Sequence, residues 1–146
     1  MWFVSVSLTQ VQVHLKHENK YLMFYQKKYG LDHPAYATVG GLFNIGETPD
    51  ECAHRELLEE TGLITDKMIP LGKYRVQVNR GGGYLYAYLA YNCTKAPTRL
   101  VSDDYEKQQI HLLSRQDVLR LTREGKIGEA QWVATTALGL LWDSNS

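Results

Sequence analysis

Seven residues within one stretch have types and spacing suited to phosphate chemistry. Gly41, Glu47, Arg55, Glu56, Glu59, Glu60 and Gly62 punctuate the segment GLFNIGETPDECAHRELLEETGL, residues 41–63. On a helix, Glu56, Glu59 and Glu60 lie at i, i+3 and i+4 and share one face. Three carboxylates so placed repel one another, and a cation relieves the repulsion. Hard oxygen ligands select Mg²⁺ or Mn²⁺, and Mg²⁺ is commonly shared between carboxylates and substrate phosphates. Such an ion neutralises phosphate charge and lowers the pKa of a bound water. Arg55 is suited to orienting a carboxylate through its planar fork, with Glu47 as the partner across the loop.

The local code for the helix is complete. Thr48 suits the N-cap, Pro49 the first helical position and Glu51 the third residue of a capping box. Gly62 suits the left-handed residue that ends a helix. A helix is therefore expected from about Pro49 to Glu60. Leu57 and Leu58 fall on other faces and are available for packing. Gly40 and Gly41 permit close backbone approach.

Read as G-x5-E-x7-R-E-U-x-E-E-x-G-U, with Leu57 and Leu63 at the aliphatic positions, the segment resembles the signature of the Nudix hydrolases at every position. That resemblance implies an α/β fold, an α/β/α sandwich with a mixed sheet flanked by helices. It implies cleavage of a diphosphate bond in a nucleoside diphosphate linked to another group. It also implies Gly41, Glu56, Glu59 and Glu60 as the metal site, and Glu59, Glu60 and Arg55 in catalysis. Within the family, the stretch Gln109–Ser114, the turn Gly125-Lys126-Ile127 and the region of Ala137-Leu138 resemble ADP-ribose and ADP-sugar pyrophosphatases. Phe24–Tyr29 stands where that group has a Gln-Tyr-Arg-like segment, which makes Lys27, Lys28 and Tyr29, with Glu47, candidates for substrate binding. That group often takes its general base from an acid on a loop past the sheet. Here the loop is Ser102-Asp103-Asp104-Tyr105-Glu106, and Glu106 is the candidate because it reaches furthest. Gln108 stands where the group has an acid.

The remaining residues bound the alternatives. A chain of 146 residues suits one domain, 1–146, with a full core. Zero formal net charge gives no broad surface for nucleic acid or membrane. Lys27, Lys28, Arg75 and Arg80 are too scattered for an RNA track. This balance gives no DNA or membrane partner; the family resemblance implies a small nucleotide substrate, and the ADP-sugar group's subunit-swapped sheet leaves a homodimer possible. A non-catalytic nucleotide sensor would carry a broken acid in the segment, and none is broken. Cys52 and Cys93 fit no metal spacing and read as reduced, consistent with a cytoplasmic protein. Met1–Leu15 alternates without a basic start, as a strand and not a signal peptide.

The rest of the chain supplies the scaffold. Strands are expected over Val4–Leu15, Tyr21–Gln26, Leu71–Asn79, Tyr84–Tyr91 and Gln108–Leu113, the first two as a hairpin. Helices are expected over Arg115–Glu124, capped by Ser114 and stopped by Gly125, and over Glu129–Trp142. The apolar face of the last would comprise Trp132, Val133, Leu138 and Leu141, with Trp142 also in the core. Alternating Tyr84 and Tyr86 read as sheet packing and His111 as structural.

Overall fold

A computed structural model describes residues 9–97 and 108–145. The first eight residues of the alternating N-terminal stretch, and the acidic loop with Asp103, Asp104 and Glu106, lie outside the described residues. The hairpin is present: β1 (Gln10–His17) and β2 (Lys20–Gln26) pair antiparallel, Leu15 opposite Leu22. Its two turn residues, Glu18 and Asn19, both have positive φ, the conformation that matches the twist of the flanking strands.

Beyond Leu15 and Leu22 the two strands part. The gap is filled by β3 (Ala35–Ala37), which pairs with β2, and β4 (Val39–Leu42), which pairs with β1. This wedge brings Gly40 and Gly41 alongside Gln12 and Val11. Next to β1 on its other side runs β7 (Tyr84–Tyr91), parallel to it, followed by β6 (Lys67–Arg75), antiparallel to β7. β9 (Gln109–Leu113) closes the far edge on β2. The seven strands form one mixed sheet, and β5 (Leu63–Ile64) with β8 (Thr94–Lys95) makes a small separate ribbon.

Helices cover both faces, which is why β1 is buried on alternate positions of either kind. Val13 and its neighbour Tyr88 face α1 (Pro49–Thr61), where the Tyr88 hydroxyl donates to Asp50 at 2.7 Å. His14 faces α3 (Ala130–Trp142), where a Cβ on Gly139 would stand 2.2 Å from its ring. α2 (Arg115–Arg123) starts at Ser114, whose hydroxyl accepts from the Asp117 amide, and Gly125 follows it with φ of 71°. The expected α/β sandwich is the observed architecture.

Two expectations need correction. The strand anticipated over Leu71–Asn79 instead starts at Lys67 and ends at Arg75. Pro70 is accommodated because β6 is an edge strand with a bulge between Pro70 and Gly72, where a missing N–H costs no ladder bond. Past Arg75 the chain enters a short 3₁₀ turn, Val78–Arg80, preceded by Gln77 in the left-handed region. In α3, Leu141 is 71% exposed and Trp142 49%. The buried stripe is Trp132, Thr135, Thr136, Gly139 and Leu140, at helical three-and-four spacing. Small residues are required there because the His14 ring fills the space opposite Gly139.

Candidate active site

The helix carrying the acidic face is defined at both ends as its residues dictate. The Thr48 hydroxyl accepts from the Glu51 amide at 3.2 Å, and the Glu51 carboxylate accepts from the Thr48 amide at 3.0 Å. Gly62, with φ of 73°, donates to the Leu58 carbonyl. Leu57, Cys52 and Ala53 bury the opposite stripe of α1 in the core.

Arg55 organises the carboxylates. Its Nε donates to Glu47 Oε2 at 2.6 Å and its Nη2 to Glu47 Oε1 at 2.9 Å, the anticipated fork across the loop. Nη1 reaches Glu56 at 2.9 Å and Glu59 at 3.0 Å, and Nη2 also binds the Leu42 carbonyl. Hydrogen bonding from Arg55, then from the Asn44 amide, holds the Glu47 carboxyl down to about 2. In return the hydrogen bond to Glu47, and then Glu56, raise the Arg55 pKa further above its usual value, against burial. Charge-assisted bonds of this kind fix orientation as well as charge state.

Glu56 and Glu60 are poised differently. Burial pushes the Glu56 carboxyl up, opposed by Arg55. Burial and then the adjacent Glu56 push Glu60 up, opposed by the Gly40 amide, which donates to it at 3.0 Å, and by Lys28. Two neighbouring carboxyls that both resist ionisation suit a cation taking the place of a proton. The glycines make this closeness possible. A Cβ on Gly41 would lie 2.6 Å from Glu56 Oε1, and one on Gly40 would lie 2.3 Å from the Val11 carbonyl oxygen. Glu59, at 44% side-chain exposure, reaches toward solvent.

Among the described residues, no three carboxylate, imidazole or thiol groups gather closely enough to hold an ion unaided. The donor set nonetheless fits Mg²⁺ or Mn²⁺: it is all oxygen, part-buried and short of positive charge on the Glu60 side. Mg²⁺ is usually bound by one or two carboxylates together with substrate phosphates and waters.

Beside Glu60 opens a cavity of about 180 Å³, walled by Gln12, Gln26, Thr38, Glu129 and Trp132, with Gly40 and Gly41 at the margin. Of the three basic-loop candidates, Lys28 lines this cavity. Lys27 instead donates to the Leu31 carbonyl of its own loop, and Tyr29 is fully exposed. The glutamines and Glu129 were not singled out from sequence. Their signal was polar Gln10 and Gln12 at alternate positions of a strand otherwise apolar enough for the core. Cys52 and Cys93 are both free and buried, and burial pushes each thiol up to about 12, so neither is a nucleophile. His111, on the outer strand, hydrogen-bonds the Tyr36 hydroxyl and stacks on Tyr25, away from the acidic face.

The family profile described as the NUDIX domain matches residues 11–144. Three solved structures share the fold. A protein titled an ADP compounds hydrolase aligns with TM-score 0.81 at 20% identity, over 94% of this chain and 73% of its own. A NUDIX hydrolase from Nitrosomonas europaea gives 0.66 at 15% identity, over 94% and 89%. The E. coli ORF135 protein gives 0.68 at 16% identity, over 94% and 91%. With the signature unbroken and nearly the whole chain matched, the protein belongs to the Nudix family, and its class is that of the Nudix pyrophosphohydrolases.

Proposed function

We propose that this chain hydrolyses the diphosphate bond of ADP-ribose or an ADP-sugar. The observation that carries the proposal is the Arg55 clamp, which holds Glu47, Glu56 and Glu59 in register beside a polar cavity. Preference for an adenosine diphosphate is supported by the C-terminal resemblance and by the ADP compounds hydrolase among its structural relatives. Glu56, Glu59, Glu60 and the Gly41 backbone would hold Mg²⁺ or Mn²⁺. When bound, the ion supplies charge neutralisation at the phosphates and an acidified water.

The chain's own residues do the rest. Arg55 fixes the rotamers of Glu56 and Glu59. Gly40 donates its amide to Glu60 Oε1 and so holds that carboxyl beside Glu56. Lys28 places one positive charge at the cavity mouth for a phosphate oxygen. Glu106 is the proposed base, taking the proton of the attacking water. Residues 1–146 would act as one domain on a small nucleotide, without DNA, as a monomer or homodimer. Two free thiols support a reducing, cytoplasmic setting. No helix among the described residues is long and apolar enough to cross a membrane.

The test is hydrolysis of ADP-ribose, ADP-glucose, NADH, diadenosine polyphosphates, capped RNA and oxidised nucleoside triphosphates, with Mg²⁺ and Mn²⁺ in parallel. ADP-ribose or ADP-glucose should give the highest kcat/KM, with AMP as product. A better substrate of another class would overturn the preference, and no turnover of any would overturn the activity.

A further inference from the structure

Gln26 is 6% exposed, and no described residue hydrogen-bonds its side-chain amide. The body of Gln26 is buried while its amide stays open to the cavity it lines, where a ligand can meet its donor and its acceptor. The Thr38 hydroxyl donates to Gln12 Oε1 at 2.6 Å, and Gln12 Nε2 donates to Gln10 at 2.8 Å. That chain is satisfied within itself, while Gln26 lines the same cavity and is left out of it. Glu129 is a second group without local work. It is the N-cap residue of α3, yet its side chain makes no cap hydrogen bond, and it lines the cavity too.

The charge and size of the cavity narrow what could satisfy both. Its charged groups are Lys28, Glu60 and Glu129, so once Lys28 serves a phosphate oxygen the rest of the cavity has no positive charge left for a second one. Burial pushes the Glu60 and Glu129 carboxyls up, and the Lys28 charge opposes that rise in both, favouring their ionised forms. At about 180 Å³ it is smaller than the ~300 Å³ at which whole-ligand pockets begin, and suits one part of a nucleotide. Trp132 offers an aromatic wall. A neutral, flat, hydrogen-bonding heterocycle meets all of these conditions.

We propose that this cavity receives the nucleobase, that Gln26 pairs with the edge of an adenine, and that Glu129 selects its amino group. A glutamine amide presents a donor and an acceptor side by side, matching an amino group next to a ring nitrogen. Glu129 gives the pairing its sense, because an ionised carboxylate only accepts. It favours an amino hydrogen and repels the carbonyl oxygen that replaces the amino group in hypoxanthine. The assignment rests on the chain being a nucleotide hydrolase and deepens that function by naming the residues that choose the base.

The experiment is calorimetric binding of AMP and IMP to the full chain, with Mg²⁺ and again with EDTA. These ligands lack a scissile diphosphate, so the readout does not depend on turnover. Wild type should bind AMP about tenfold or more tightly than IMP, the effect of one hydrogen bond to a charged group. Glu129→Gln should reduce that ratio to near one. Gln26→Met, similar in shape and apolar, should weaken AMP binding while leaving the melting temperature unchanged or higher. Equal binding of AMP and IMP by wild type, no binding of either at millimolar concentration, or a preference that survives both substitutions would overturn the inference. A chain that hydrolyses ADP-ribose without preferring AMP to IMP loses this inference alone. A chain that prefers AMP but turns over no diphosphate loses the proposed activity alone.

Discussion

Replacing Gly41 by alanine places a methyl group where the structure has the Glu56 carboxylate. The new Cβ would lie 2.6 Å from Oε1, 2.7 Å from Cδ and 2.9 Å from Oε2. Ordinary contact begins near 3.4 Å, so the carboxylate must retreat by about 0.8 Å, the difference between 3.4 and 2.6. It can do so, because it is the far end of a side chain, but only by leaving its 2.9 Å bond to Arg55. A catalytic group displaced by about 1 Å costs up to ~10²-fold in rate, or ~2.7 kcal/mol. The fold should suffer little: a loss under ~1 kcal/mol lowers the melting temperature of a chain this size by no more than about 4 °C. Gly40→Ala is the contrast. Its Cβ would meet the Val11 backbone carbonyl at 2.3 Å, and a strand cannot yield as a carboxylate can. That variant should lose stability by ~1–3 kcal/mol or more. The assay is kcat/KM on the best substrate at saturating Mg²⁺, paired with a thermal melt. A Gly41→Ala enzyme within threefold of wild type would refute the placement of Glu56 in the reaction. Gly41→Ala melting as early as Gly40→Ala would refute the distinction between side-chain and backbone clashes.

Other perturbations test separate parts of the site. Arg55→Lys keeps the charge but loses the planar fork that spans Glu47, Glu56 and Glu59, so kcat and the apparent Mg²⁺ affinity should fall together, each by about tenfold or more. An effect confined to KM for the nucleotide would indicate direct substrate contact instead. Glu106→Gln should lower kcat by ~10²–10⁴-fold with KM nearly constant. A silent Glu106→Gln beside a dead Glu59→Gln would move the base onto α1. His14 offers a pH test away from the site: complete burial lowers its pKa from 6.5 to about 4, with Asp143 opposing and Arg115 and Lys16 assisting. A base depressed in the folded state is neutral there, so its stability contribution is intact above pH 6.5. It is lost as pH falls from 6.5 toward 4, by on the order of 3 kcal/mol (2.5 pH units at about 1.36 kcal/mol each). Urea unfolding at pH 7 and pH 4 should show that loss in wild type relative to His14→Gln, and parallel pH profiles for the two would contradict it.

Local grammar made α1 and its carboxylates legible in the sequence. Thr48, Pro49, Glu51 and Gly62 each act within a few residues of where they stand, and so does the Arg55–Glu47 fork. The β1–β2 hairpin was legible for the same reason. The wedge of β3 and β4 between those strands was not, since β4 depends on pairing with a strand 26 to 32 residues away, and β3 on a loop of irregular backbone between it and β2. The extent of β6 was hidden by Pro70, which reads as a breaker until its partner strand is known to lie on one side only. Leu141 and Trp142 misled because apolarity alone does not say which stripe of α3 meets the sheet. That depended on His14, which is buried against Gly139. The base-side cavity was least legible, because Gln12, Gln26 and Glu129 come from three elements and converge only in three dimensions.

The central claim is that the acidic face of α1 drives metal-dependent cleavage of a nucleoside diphosphate. Glu60→Gln tests it most directly: the amide keeps the shape of the buried side chain and removes the charge that a cation would meet. With ADP-ribose and saturating Mg²⁺, AMP release should fall by at least ~10²-fold in Glu60→Gln, with an unchanged melting profile. In wild type it should stop with EDTA and return with added Mg²⁺ or Mn²⁺. Near-normal AMP release by Glu60→Gln, or undiminished release in EDTA, would contradict the account.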